Sequence, residues 1–205
     1  ILYQKQVHDG LEKAIERKNH SKYPIIILTC MDHNINPSLV FQLHPDDIII
    51  LRNAGYSITE DVIRSILTAV SSQKIKEIII MGHTHCQTTQ LDPMKLIRSL
   101  PSKLLRKIGS KGVNMTQEII KYFHIFVDEL RNIRNQMRKL QTLEILPSEI
   151  KIKGFIHDDE SGWIFDIEAE EIKTIESIEE FKHKLPDLKE DKIQNIGITS
   201  SDLIT

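Results

Sequence analysis

Cysteine is scarce in this chain, with two in 205 residues and no Cys-x-x-Cys pair. That scarcity excludes a disulfide framework and argues against a thiol–disulfide exchange role. Long apolar runs are missing as well, and none approaches the roughly 20 residues that a membrane-spanning helix requires. The N-terminal segment is amphipathic and unlike a signal peptide, so the expected location is the cytoplasm, with no membrane partner. Charge of one sign is also lacking. A formal net charge of -2 provides no general attraction to nucleic acid, which is not expected as a partner. Neither Gly-x-Gly-x-x-Gly nor a P-loop is present, and no internal repeat or low-complexity linker is visible.

What the chain does have is isoleucine in short bursts. Residues 24–29 (PIIILT), 47–51 (DIIIL) and 77–81 (EIIIM) are β-branched and continuously apolar, as strands of a parallel sheet covered on both faces should be. Helical crossovers are expected between them: a short one over 37–42, and one over 59–71 where Val62, Ile63, Ile66, Leu67 and Val70 keep helical spacing. Further helix is expected over 93–108, and a long helix over about 115–142 with Asn114 as its cap and Gln117 three residues on. Residues 151–157 and 162–167 suit a hairpin, and 168–183 an acidic amphipathic helix followed by a polar tail. Residues 1–167 are therefore expected to form the main domain, and 168–205 a C-terminal helix and tail. An apolar stripe of Val7, Leu11, Ala14 and Ile15 precedes the first strand, suited to packing on its own domain or across a dimer.

The order of elements points to a site. Cys30 follows the first strand, Arg52-Asn53-Ala54-Gly55 the second, and Gly82-His83-Thr84-His85-Cys86 the third. Open α/β sheets bind ligands outside the carboxyl ends of their strands, so parallel neighbours would bring Cys30 to His83 and Cys86. Two thiolates and an imidazole make a tetrahedral metal site with one position left over, the pattern of catalytic zinc. Asp32 also suits a turn or helix cap, Arg52 a structural hydrogen-bond donor, Gly55 a turn or close backbone approach, and His85 a solvated neighbour or proton shuttle.

These residues resemble the β-class carbonic anhydrases, whose pattern is Cys-x-Asp-x-Arg, then Arg-Asn-Ala-Gly, then His-x-x-Cys, each after a strand. Residues 132–140 resemble that family's long helix, and Lys153-Gly154-Phe155-Ile156-His157-Asp158 its closing Gly-x-x-Tyr-Asp strand; the likeness covers roughly 24–167. The resemblance implies an α/β fold of about four parallel strands with one antiparallel edge strand, flanked by helices. It implies a homodimer or dimer of dimers that uses zinc to hydrate carbon dioxide to bicarbonate. Cys30, His83 and Cys86 would be the metal ligands, Asp32 the acceptor that orients the nucleophile, and Gly55 and Gln87 part of the substrate-binding wall.

Two positions depart from the pattern. Asn34 stands where the family has the arginine that pairs with the aspartate, and Gln87 where it has glycine. A neutral hydrogen bond from Asn34 restrains Asp32 by about 0.5–1.5 kcal/mol, against about 1.5–3 kcal/mol for a charged one. Arg52, Arg64 or His33 are candidates to replace the missing cation. If none does, Asp32 is free to close the metal site, giving a non-catalytic zinc-binding relative. Hydrolysis of carbonyl sulfide or carbon disulfide on the same fold is the other alternative.

Overall fold

The structure is a computed structural model and describes residues 23–44, 47–109 and 114–190. The stripe of Val7, Leu11, Ala14 and Ile15 and the tail beyond residue 190 lie outside the described residues. A five-stranded sheet has the order β2-β1-β3-β4-β5, built from β1 (Ile25–Cys30), β2 (Ile49–Asn53), β3 (Glu77–His83), β4 (Lys151–His157) and β5 (Ile164–Asp166). The first four strands pair in parallel, and β5 runs antiparallel to β4 as the expected hairpin partner. Every residue of β1 and β3 is buried, which explains why both read as unbroken apolar runs without alternation. No described helix is long and apolar enough to cross a membrane.

Among the described residues, the first crossover contains the short α1 (Pro37–Val40), capped by the Asn36 side chain. The second is α2 (Glu60–Ser72), where the Thr59 hydroxyl accepts the Val62 N–H and Val62, Ile66 and Ala69 turn inward. The expected helix over 93–108 is two helices, α3 (Pro93–Ser99) and α4 (Ser102–Ile108). Pro101 divides them, because proline disfavours helix in the residue before it and donates no hydrogen bond.

The long helix expected over 115–142 is likewise divided, into α5 (Met115–Tyr122) and α6 (Glu129–Gln141). Asn114 caps α5 through the Thr116 N–H. Asp128 makes the break. One of its carboxylate oxygens accepts the Arg131 N–H and starts α6, while the other accepts the N–H of Ile178, the first residue of α7 (Ile178–Glu190). One carboxylate therefore sets two helix starts, a use of Asp that hydrophobic periodicity does not reveal.

The acidic helix expected over 168–183 begins ten residues later than that reading places it. Residues 168–176 form turns instead, because Arg134 on α6 donates to the carbonyls of Ile172, Lys173 and Ile175, at 3.1, 3.4 and 2.6 Å. Arg131 takes the Glu176 carbonyl at 3.0 Å. Carbonyls held by guanidinium groups no longer pull the segment into a helical ladder. Ile172, Ile175, Ile178, Phe181 and Leu188 then join the same apolar core as the sheet, with Phe181 edge-on to Phe165. Helix α6 packs directly on β3 and β4, so closely that a Cβ at Gly154 would run into the Met137 sulfur.

Candidate metal centre

Strand register assembles the site. Cys30 ends β1 opposite Asn53 of β2, Thr29 pairs with Met81 of β3, and His83 ends β3 opposite His157 of β4. All four carboxyl ends lie along one edge, as parallel order requires. The chain then turns sharply at His85, whose φ is 56°, and returns Cys86 toward the sheet. Cys30, His83 and Cys86 are buried, and their ligand atoms lie within 4.8 Å of one another. The two sulfurs are 3.6 Å apart.

His83 carries the test of fit. Its side chain is 0% exposed and its Nε2 has no hydrogen-bond partner, while its Nδ1 sits 3.1 Å from Asp159 Oδ2. An imidazole whose Nδ1–H is donated to a carboxylate presents an Nε2 lone pair, the form in which histidine binds metals. A buried atom without a partner normally costs stability, and a metal ion held by the three groups would satisfy it. The donor set fits a metal.

The titration behaviour has the same cause. A hydrogen bond from Cys86 lowers the Cys30 pKa to about 4 against the opposing effect of burial, with a further contribution from His83. Cys86 is raised by its bond to Cys30 and by burial. The thiol pair thus gives up its first proton readily and its second with difficulty. Burial pushes His83 down, but its bond to Asp159 and the nearby Cys30 sulfur outweigh it and raise it to about 9. Burial likewise opposes the ionisation of Asp159, and its bonds to His157 and His83 bring it down to about 2.

Asp32 is buried beside these ligands but is not a member of the converging group. Its carboxylate accepts the backbone N–H of Gln87 at 3.4 Å and that of Asn34 at 3.5 Å. Asn34 therefore contributes its main chain; its side chain is exposed, as is that of Gln87. The candidates for the missing cation separate clearly. Arg64 pairs with Asp61 on the surface, and Arg52 donates to the carbonyls of Cys30, Asp32 and Ile35, bracing the loop after β1. Only His33, at 3.5 Å, comes near the carboxylate.

Gly55 has φ 67°, and a Cβ there would lie 2.6 Å from Phe126 and 3.2 Å from Thr88. Both conformation and space demand glycine. His85 turns outward, where its Nε2 meets Lys182 of α7 at 2.9 Å. Two residues not singled out in the sequence complete the surroundings. Glu129, raised in pKa chiefly by burial, accepts the Cys86 N–H at 3.2 Å from the first turn of α6. Asp159 lies in the turn after β4, where Asp, Ser and Gly together read as loop chemistry. Its signal was a carboxylate two residues past His157, the last residue of β4.

Comparison with known proteins agrees with this geometry. The family model for carbonic anhydrase matches residues 25–172. A carbon disulfide hydrolase of Acidianus sp. is 27% identical over 149 residues, 66% of this chain and 72% of that protein. A carbonic anhydrase of Synechocystis sp. is 26% identical over 180 residues, 80% of this chain and 64% of that protein. Among solved structures, the carbonic anhydrase of Streptococcus mutans aligns with a TM-score of 0.61 at 23% identity, covering 80% of this chain and 95% of that one. At that identity the likeness speaks for the fold, and the family match across most of the chain speaks for descent. With strand order, register and the Cys-His-Cys cluster all in agreement, the chain belongs to the β-carbonic anhydrase family.

Proposed function

We propose that the protein is a zinc enzyme that reversibly hydrates carbon dioxide to bicarbonate. One observation carries this reading: three buried ligand atoms converge from Cys30, His83 and Cys86, while the neighbouring carboxylate of Asp32 is held outside their group by backbone N–H donors. Three ligands with two thiols suit zinc and leave a fourth position for chemistry. A zinc ion held there would supply Lewis acidity and lower the pKa of a water ligand enough to furnish hydroxide near neutral pH.

The remaining steps belong to the chain. Asp32 accepts only long hydrogen bonds from Gln87 and Asn34, so it keeps the capacity to accept one from the nucleophile and orient it. Phe126 and Thr88 pack closely against Gly55, which fixes the Gly55 side of the expected substrate-binding wall. Asp159 holds the His83 ring. We further propose a homodimer or dimer of dimers. Met31, Leu39 and Val127, on the loops and short helix around the site, are 68%, 76% and 85% exposed, and a second copy would cover them.

The carbon disulfide hydrolase relative favours a second reading, in which the same nucleophile attacks carbon disulfide or carbonyl sulfide. A third, with Asp32 closing the metal site, is disfavoured by its position outside the converging group. Zinc analysis and stopped-flow hydration between about pH 7 and 9 separate them. The expected result is one zinc per chain and hydration well above buffer. Zinc with sulfide release and no hydration would select the second reading, and zinc with neither would select the third. Asn34→Arg is expected to raise the hydration rate by restoring a charged partner for Asp32; an unchanged or lower rate would mean that the missing cation does not limit this pocket.

A further inference from the structure

We infer that Asp159 and His157 form a positioning pair behind the metal centre, in which His157 locks the carboxylate that holds His83. This rests on the zinc reading above, and nothing in the family pattern that led to that reading includes Asp159. That pattern ends at Asp158, which has a different job: it accepts hydrogen bonds from Thr84 and Ser161 and pairs with Lys189 of α7 at 3.3 Å.

Register is the first argument. His83 and His157 are direct partners across the parallel β3–β4 ladder, so their side chains leave the same sheet face about 4.8 Å apart. Asp159, two residues beyond His157, brings its carboxylate between them. Oδ2 lies 3.1 Å from His83 Nδ1 and Oδ1 lies 3.2 Å from His157 Nδ1. Each oxygen therefore serves one ring, and the carboxylate cannot rotate without breaking a bond.

Burial is the second. His83 is 0% exposed, His157 8% and Asp159 10%, so water competes poorly for any of the three. The Asp159 backbone is pinned as well, its N–H donating to the Thr84 hydroxyl at 3.0 Å. Thr84 lies next to His83 in the chain, so the loop after β4 is tied to the same short segment twice. Without Asp159 the His83 Nδ1–H would be a buried donor lacking an acceptor, and the ring would have no reason to keep Nε2 aimed at the sulfurs.

Asp159 and His157 touch neither a metal nor a substrate, so both act through His83. Partners of this kind are worth about 10- to 100-fold in metal affinity. The test is zinc affinity of the full chain by competition with a chelator, alongside the visible spectrum of the cobalt-substituted protein, for wild type, Asp159→Asn, His157→Phe and His157→Gln. Asp159→Asn is expected to weaken zinc about 10- to 100-fold and to shift the cobalt bands. His157→Phe is expected to lose less, and His157→Gln, whose amide can still donate to Asp159, to stay near wild type. Unchanged affinity and spectrum in Asp159→Asn would overturn the inference while leaving the zinc site intact. Wild-type affinity in His157→Phe would overturn the locking role of His157. A wild-type chain that takes up no metal would overturn both this inference and the zinc reading.

Discussion

The two edges of the sheet bury polar groups in opposite ways. At the amino edge Glu77 opens β3, almost wholly buried, with Lys153 Nζ 2.7 Å from its Oε1. At the carboxyl edge of the same strand His83 is buried with Nε2 unpartnered. Glu77 Oε2 is unpartnered too, yet its charge already has a counter-ion within the chain. His83 faces two thiols, and although its raised pKa and the lowered pKa of Cys30 let these two share charge, the three donor atoms still converge within 4.8 Å of one another as a ligand set. A closed ion pair is complete in the folded chain; a converging donor set is complete only around a cation.

The contrast predicts opposite responses to mutation. The largest effect is expected from His83→Ala, which removes a ligand: bound zinc, measured by elemental analysis after dialysis, falls to background while the chain stays folded by circular dichroism. Retention of stoichiometric zinc would break the distinction between the two edges. Lys153→Met acts at the closed edge and leaves the Glu77 carboxylate buried without its counter-ion. A cost of about 2 kcal/mol is expected in urea unfolding, below the range for fully buried pairs because Lys153 is partly exposed. Zinc content is expected to be unchanged.

A smaller effect is expected from Asp158→Asn. Burial works against ionisation of Asp158, but its bonds to Ser161 and Lys189 outweigh burial and hold its pKa below the usual carboxylate range. A carboxyl depressed in the folded state contributes stability above its unfolded pKa, near 4, and loses it as pH falls through the folded value. Asp158→Asn should therefore cost about 1 kcal/mol at neutral pH, with the gap to wild type closing below about pH 4. A gap that persists in acid would assign the loss to geometry rather than charge.

Much of this was legible because both strand signals and ligand types are local. Isoleucine runs marked β1, β2 and β3 within two residues, and Cys30, His83 and Cys86 stood at strand ends where topology had to bring them together. Helix boundaries were less legible. Nothing in the periodicity of residues 115–142 announced that Asp128 would cap both α6 and α7, and nothing in 168–176 announced that arginines of α6 would take its carbonyls. Those partners lie about 40 to 50 positions away, beyond the reach of any local pattern.

The sequence by itself determined the sheet, the parallel order and the identity of the three candidate ligands, since each follows from residue type and spacing along a strand or its end. Only the tertiary structure decided what surrounds those ligands. Whether Arg52 meets a carboxylate or three carbonyls, whether Asn34 uses its side chain or its backbone, and which carboxylate stands behind His83 depend on side-chain directions at the convergence of separate strands. Contacts of that kind span large separations in sequence, and burial there makes each partner consequential.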